Sequence, residues 1–337
     1  MNLELKKFGN VEEEVDLKNY NTYRIGGIAK YLVSPSSFPD LIDLIKYLKE
    51  NNVEHIFIGN GSNIVLNDAY FEGVVINFKN LSAYEVHNDG TIYAEAGASL
   101  PKVALASIDK SLKGLEFAVG IPGTLGGSIV GNAGAYNACL LDYVSEVTIL
   151  NDRLEIETLQ HEQIEYSYRT TMFKEKKNAL ILSAKIKLTP GDKHASLDIV
   201  NDRKRRRLET QPLEYPSAGS VFRNPEGDFA GRLIEVCGLK GYQIGGARVS
   251  DKHANFIINY EDATSQDIYK LIHYVHDEVL AKTNVDLKIE QEFIGWKWFN
   301  VIFKKEKKKV ELKKYLYNFN SNRINIIKYL LYTKLTY

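Results

Sequence analysis

The sequence predicts an α+β protein of more than one domain, and three observations carry that prediction. Two glycine-rich loops, Gly59 to Asn63 and Gly120 to Gly127 with its continuation to Tyr136, are each bordered by strand-like sequence. Short strand-like runs and helix-period runs follow one another along most of the chain. Proline and glycine mark a boundary at Pro212 to Asn224, and the 337-residue length suits two or three domains.

In chain order, Asn21 to Gly27 opens the first ordered unit and Ala29 to Val33 reads as a strand. Pro39 starts a helix whose Leu41, Leu44, Ile45 and Leu48 recur at helical spacing and cover one face of a sheet. Val53 to Ile58, Ile64 to Leu66 and Gly73 to Phe78 read as strands around the first glycine loop, which makes a small α/β unit. A strand at Thr91 to Ala96, a helix from Pro101 to about Leu112 and the long glycine loop come next. Strands then follow at Val144 to Leu150, Leu154 to Leu159 and Ala179 to Leu188, with a hairpin turn at Asn151-Asp152-Arg153. A charged helix, Ala195 to Leu208, leads to the boundary.

Beyond it, Phe229 to Val236 is read as helix and Asn255 to Tyr260 as strand. Thr264-Ser265-Gln266-Asp267 forms a capping box, and Ile268, Leu271, Ile272, Val275 and Val279 make the apolar stripe of the helix it begins. Val285, Leu287, Ile289 and Phe293 alternate, so Lys288, Glu290 and Glu292 share the opposite face of a final strand. From Trp296 the composition turns to Lys, Asn, Tyr, Ile and Phe, and residues 296–337 form an extension with no assigned role.

The glycine loops are expected to work through their backbone. Glycine costs backbone entropy and adds no buried side chain, so the stretch from Gly120 is read as neither helix nor packed strand. Such loops bring peptide N–H groups close to a ligand and can wrap a pyrophosphate; a plain turn is the alternative for each loop alone, and the pair favours a nucleotide cofactor. No Gly-x-Gly-x-x-Gly fingerprint and no Walker loop occurs, so the cofactor is not held in the Rossmann manner.

The 43 basic and 43 acidic residues cancel, which argues against a dedicated nucleic-acid binder despite basic runs at Arg203 to Arg207 and Lys304 to Lys309. Cys139 and Cys237 are too few for a disulfide framework or a zinc site, and no histidine spacing suggests a metal. Met1 to Glu14 is charged, and no apolar run reaches the roughly 18 residues of a membrane span. A soluble cytoplasmic protein is expected.

Five places can carry chemistry. Arg169, in the polar stretch Tyr166 to Phe173, is either a surface ion pair or a permanent cation for a substrate carboxylate. Ser220, in Pro216 to Pro225, is either a turn serine or a proton donor to a basic carbon centre; the Gly-x-Ser-x-Gly pattern of a hydrolase nucleophile is absent. Glu290 or Glu292 is either a solvated carboxylate or the acid partner of that site. His253 is a ligand contact or a polar loop residue, and the run Arg203 to Arg207 is a solvated helix face from which one arginine can reach a phosphate.

Several of these segments occur together, and in this order, in one family. Asn21 to Gly27, Gly59 to Asn63, Gly120 to Tyr136, Tyr168-Arg169, Ser217 to Pro225, Ala230 to Gly246 and Val249 to Asn259 resemble the UDP-N-acetylenolpyruvoylglucosamine reductases, the MurB flavoenzymes. The resemblance covers residues 10 to 295, and the direct passage from Phe173 to Ala179 resembles their shorter, type II form.

The resemblance implies a vanillyl-alcohol-oxidase-type FAD fold: one subdomain over residues 1–78 joined by a returning strand at 285–295, a second over 79–210, and a substrate domain over 211–286. It implies FAD contacts at Tyr23, Arg24, Gly59, Asn60, Gly61, Ser62, Asn63, Gly120, Ile121, Pro122, Gly123, Thr124, Gly126 and Gly127. Asn132, Ala133, Gly134 and Ala135 would lie near the flavin, while Asn224, Lys240, Tyr242, Arg248 and His253 would contact substrate. The implied reaction uses NADPH and FAD to reduce UDP-N-acetylglucosamine enolpyruvate for peptidoglycan synthesis. Arg169 then stabilises the developing enediolate, Ser220 donates the proton to carbon, and Glu290 polarises the carboxylate. No metal and no nucleic-acid partner are implied, and a monomer is compatible.

The chain departs from the family's pattern at Thr171, where serine is common, and at Arg248, where glutamine is frequent. In the last strand the usual Glu-Val-Arg becomes Glu290-Gln291-Glu292. The other readings are a related flavin oxidase or dehydrogenase, which needs a base where Ser220 stands, and an inactive flavin-binding protein.

Overall fold

The structure is a computed structural model that describes residues 4–176 and 179–296. The extension read from Trp296 onward therefore lies, from residue 297, outside the described residues. Met1–Ile294 forms one compact unit, and the rest of the description concerns it.

Three sheets organise this unit. The first runs in the order Gly9–Asp16, Ile28–Pro35, Phe71–Asn77, His55–Ile58, its first pair antiparallel and the others parallel. The second is five-stranded and antiparallel: Ile156–Gln160, Val144–Asn151, Ala179–Lys187, Thr91–Glu95, Tyr84–Val86. The third joins Gln243–Ile244, Ala247–Val249 and Ile257–Asn259 beneath the helix Ser265–Thr283.

The helices follow from their caps and stripes. Phe38–Glu50 begins where Ser37 accepts the amide of Asp40 at 3.2 Å, with Pro39 in its first turn, and it buries Leu41, Leu44, Ile45 and Leu48. Those side chains join a continuous core with Val33, Val74, Ile92, Ala94, Val147 and Ile186, so the first two sheets share one apolar interior. Ser265–Thr283 has the reciprocal cap: Thr264 Oγ1 accepts from the Asp267 amide at 3.1 Å, and the Asp267 carboxylate accepts from the Thr264 amide at 3.0 Å. Asp68 accepts from the amides of Gly26 and Ser265 at 3.1 and 2.7 Å, which anchors this helix start to the loop after Ile64–Leu66.

One expectation is overturned. The stretch from Gly120, read as loop throughout, contains a short helix, Leu125–Val130, with two glycines inside it, and a small strand pair, Gly134–Ala135 with Ala138–Cys139. Each glycine costs a helix about 1 kcal/mol, but Leu125 and Ile129 are wholly buried, which offsets it. Gly126 sits so close to Ala96 that a Cβ would lie 2.9 Å from the alanine methyl. Close packing of backbone on backbone chose the glycine there.

The final strand is shorter than the alternation suggested: Glu292–Ile294 pairs in parallel with Ile64–Leu66, while Ile289 forms an isolated bridge with Phe222. Of the alternating residues Leu287 is buried and Val285, Ile289 and Phe293 are half-buried, while Gln291 is buried.

Candidate active site

The two glycine loops face each other. Asn60 Nδ2 donates to the Pro122 carbonyl at 3.4 Å, and a Cβ on Gly59 would fall 2.5 Å from Thr124 Oγ1. The N–H groups of Gly61, Ser62 and Gly123 find no acceptor among the described residues. Backbone donors on two converging loops, with no bulky side chain between them, suit a diphosphate, so these residues fit the pyrophosphate of a dinucleotide cofactor.

Gly61 also has a backbone reason to be glycine. Its φ is +63°, and a Cβ would lie 2.2 Å from the Tyr20 carbonyl oxygen. Gly61→Ala is expected to cost about 1–3 kcal/mol of stability and to lower the FAD retained on purification; thermal melts and flavin-to-protein ratios check both. An unchanged melt would mean that the loop relaxes freely.

The second glycine loop is tied to a hairpin, Tyr166–Ser167 with Thr170–Thr171, whose turn is Tyr168-Arg169. Asn132 Nδ2 donates to the Ser167 carbonyl at 3.0 Å, and Thr171 Oγ1 donates to the Val130 carbonyl at 2.8 Å. Thr171 thus supplies the hydroxyl that a serine would.

Arg169 sits at φ +59°, the left-handed region where a side chain is strained. Its Nε lies 3.3 Å from Glu290 Oε1 but off a hydrogen-bonding line, so this buried N–H has no hydrogen-bond partner. Arg223, in the serine segment, also has a buried Nε without a partner. Lys174 donates to the Glu290 carbonyl at 3.2 Å and pairs with Glu292 at 2.9 Å. Burial pushes the Glu290 carboxyl above the ordinary glutamate range, against the pull of Arg169, Lys174 and Arg223. Three cations around one buried acid make a site for a second carboxylate.

Ser220 is brought to the same place through the backbone. The Glu290 amide donates to the Val221 carbonyl at 2.8 Å, and the Arg223 amide to the Lys288 carbonyl at 2.9 Å, so the serine segment runs beside Ile289-Glu290. Ser220 Oγ makes no hydrogen bond among the described residues. Asn63 Nδ2 donates to the Glu290 carbonyl at 3.3 Å, which joins the first glycine loop to this strand.

Known families and proteins match most of this chain. The family described as "UDP-N-acetylenolpyruvoylglucosamine reductase, C-terminal domain" matches residues 211–294, and the "FAD binding domain" family matches residues 29–159. UDP-N-acetylenolpyruvoylglucosamine reductases of Caldicellulosiruptor saccharolyticus and Caldanaerobacter subterraneus subsp. tengcongensis are 40% and 42% identical to it, over 85% and 87% of this chain and 93% and 97% of theirs. The chain belongs to the UDP-N-acetylenolpyruvoylglucosamine reductase family.

The crystal structure of the MurB reductase from Thermus caldophilus superposes with a TM-score of 0.73 at 30% identity, covering 85% of this chain and 99% of that one. This reductase is thus a flavin-dependent oxidoreductase with the expected FAD-binding fold and the family's C-terminal domain.

Several expected contacts have other employment in the reductase. Tyr23 is fully buried and its hydroxyl donates to Gln291 Oε1 at 3.1 Å, so its ring has no surface to offer a cofactor. Asn132 donates one side-chain N–H to the Ser167 carbonyl and accepts the Leu141 amide, and the Gly126 amide is taken by the Ala96 carbonyl. Asn224 Oδ1 accepts from the Ala230 amide at 3.0 Å and holds the start of the helix Ala230–Val236. Arg24 is exposed, as is Tyr242, which stacks on Tyr274 at 4.4 Å.

Lys240 pairs with Glu235 at 2.9 Å. Arg248 pairs with Asp251 at 2.8 Å, lies 4.7 Å over the Tyr260 ring and leaves its Nε unpartnered. His253 accepts the Asn255 amide on Nδ1 at 3.2 Å, and burial lowers its pKa below the ordinary histidine value.

Arg207 was not singled out within its basic run, yet the structure distinguishes it. It is half-buried, donates from Nε to Gln211 at 3.0 Å and has no carboxylate partner among the described residues. Its guanidinium lies where a Gly120 side chain would be, with Nη1 2.4 Å from the Cβ position. Gly120 leaves that space free.

Proposed function

We propose that this reductase converts UDP-N-acetylglucosamine enolpyruvate to UDP-N-acetylmuramate with NADPH as reductant, in the cytoplasm, as a step of peptidoglycan precursor synthesis. The observation that carries the reading is the buried cluster of Arg169, Arg223, Lys174 and Glu290 beside the Ser220 segment, whose hydroxyl makes no hydrogen bond among the described residues. The loops Gly59 to Asn63 and Gly120 to Gly127 would hold FAD, which when bound would supply hydride chemistry with NADPH as the source. Everything else falls to side chains.

A vinyl ether accepts hydride at its terminal carbon only if the neighbouring carboxylate draws the charge that appears. In this reading Arg169, with its unpartnered N–H, faces that carboxylate and stabilises the enediolate. Glu290 holds a proton and donates a hydrogen bond to the same group, a role its raised pKa favours. Ser220 Oγ then gives its proton to the carbon bearing the carboxylate, which completes addition of one hydride and one proton across the double bond. Asn224, Lys240, Tyr242, Arg248 and His253 remain proposed contacts for the nucleotide sugar.

The test is an anaerobic visible spectrum. The oxidised-flavin band should bleach with NADPH and return on adding the enolpyruvyl sugar. If it bleaches and stays bleached, the substrate assignment fails.

The acid role fixes a pH dependence. Because Glu290 binds its proton more tightly in the folded protein, its contribution to stability is greatest below the ordinary glutamate pKa. That contribution is lost as pH rises through the raised value. Reoxidation should fall over the same upper range. Lys174→Met removes one of the cations that hold the pKa down, so the alkaline fall should move to higher pH. Stopped-flow rates across pH measure it; a shift to lower pH would contradict the acid role.

A further inference from the structure

We propose that Gln291 is a positioning residue for Ser220, an inference that rests on the proton-donor reading of that serine. Gln291 is 5% exposed and stands on the inner side of the last strand, in a row otherwise set by Leu287. Its amide N–H donates to the Ala218 carbonyl at 3.1 Å, and its carbonyl accepts from the Tyr23 hydroxyl at 3.1 Å. Tyr23 is itself fixed, since it is fully buried and its backbone carbonyl accepts from Asn259 Nδ2 at 3.0 Å. One uncharged side chain thus joins the opening segment of the chain, the last strand and the serine turn.

The turn needs that support. Gly219, between Ala218 and Ser220, has φ +73° and no atom within 4 Å of its Cβ position, so packing does not hold it. On the far side of Ser220, Phe222 is clamped by Asn255, which accepts its amide at 2.9 Å and donates to its carbonyl at 2.8 Å. Ser220 itself is bridged in antiparallel register to Phe256, and the Val221 amide donates to the Asn255 carbonyl at 2.9 Å, so the following side is fixed and Gln291 is the clamp on the preceding side. Loss of that clamp loosens Ala218-Gly219 ahead of the bridge and lets Oγ tilt from the carbon it protonates.

An amide suits the position because it needs one donor and one acceptor with no charge. Valine makes neither bond, and a glutamate would set a carboxylate oxygen against the Ala218 carbonyl. The neighbouring Glu290 and Glu292 turn their carboxylates to other partners, Arg169 and Lys174 respectively.

The experiment uses the FAD-loaded full chain and follows both half-reactions by stopped flow. Gln291→Met should slow reoxidation about 10- to 100-fold, the scale of a small misplacement of a reacting group. NADPH-driven bleaching and the KM for the enolpyruvyl sugar should stay near wild type, and the solvent isotope effect on reoxidation should rise as proton transfer becomes limiting. Tyr23→Phe combined with Gln291→Met removes the orphaned hydroxyl, and should recover melting temperature without recovering rate. In a Ser220→Ala background, Gln291→Met should cost nothing more, because a residue that acts through Ser220 has nothing left to position.

Wild-type reoxidation in Gln291→Met, equal loss in both half-reactions, or multiplying losses in the Ser220→Ala background would each overturn the proposal. Ser220→Ala that reoxidises normally would instead defeat the proton-donor reading on which it rests.

Discussion

Ser220→Ala is expected to leave NADPH-driven bleaching of the flavin intact and to slow its reoxidation by the enolpyruvyl sugar about 1000-fold, or about 4 kcal/mol of barrier. The selectivity follows from where the hydroxyl stands. Ser220 Oγ makes no hydrogen bond among the described residues, so its removal breaks no internal contact. The backbone of Ser220 bridges Phe256, and the neighbouring Val221 carbonyl accepts from the Glu290 amide; both survive in alanine. Hydride delivery from NADPH needs no proton on a substrate carbon, whereas the second half-reaction does. Single-turnover traces of the two half-reactions separate the cases. Loss shared equally between them would show that Ser220 serves the fold or the flavin rather than the substrate carbon.

The sequence made the two helices with the clearest caps and stripes legible. Phe38–Glu50 and Ser265–Thr283 state their starts in Ser37 and Thr264, and their buried faces in leucines and isoleucines at helical spacing. The helix Leu125–Val130 was not legible, because the glycine penalty is local while the burial of Leu125 and Ile129 that offsets it is tertiary. For the same reason nothing nearby in sequence shows that the Tyr23 hydroxyl meets Gln291, 268 residues away.

The site was legible in its residue types and not in its electrostatics. Arg169, Ser220 and Glu290 stand out as a cation, a hydroxyl and an acid in separate segments. That Glu290 is the buried member of the Glu290/Glu292 pair, and that Lys174 neutralises Glu292, depends on a strand register that alternation alone leaves free. Lys174 pairs with the Glu292 carboxylate at 2.9 Å. Arg207 shows the converse. Arg205 and Arg206 in the same run pair with Asp202 or Glu209 on the helix surface, while burial against Gly120 marks Arg207 out.

Arg169→Met is expected to slow reoxidation roughly 1000-fold, with weaker binding of the enolpyruvyl sugar, because a preorganised charge at the developing anion is worth about 3–4 kcal/mol. The backbone argues that the guanidinium is required. At φ +59° a long side chain is held at a cost that glycine would avoid. The variant should still fold near neutral pH. Arg169 is the first of the three cations that oppose burial of Glu290, so its loss raises the Glu290 pKa further and leaves the carboxyl neutral rather than a bare buried charge.

Guanidinium ion added to Arg169→Ala, which vacates the space that Met would fill, should restore part of the rate, and Arg169→Lys should restore less because an ammonium lacks the planar fork. Stopped-flow reoxidation at fixed ionic strength, with guanidinium compared against sodium, decides the matter. A Met variant within about threefold of wild type would leave Arg169 as an ion-pair partner of Glu290 and no more; rescue by guanidinium but not by sodium would place a positive charge on the substrate's carboxylate as the element that the vinyl ether needs before it can accept hydride.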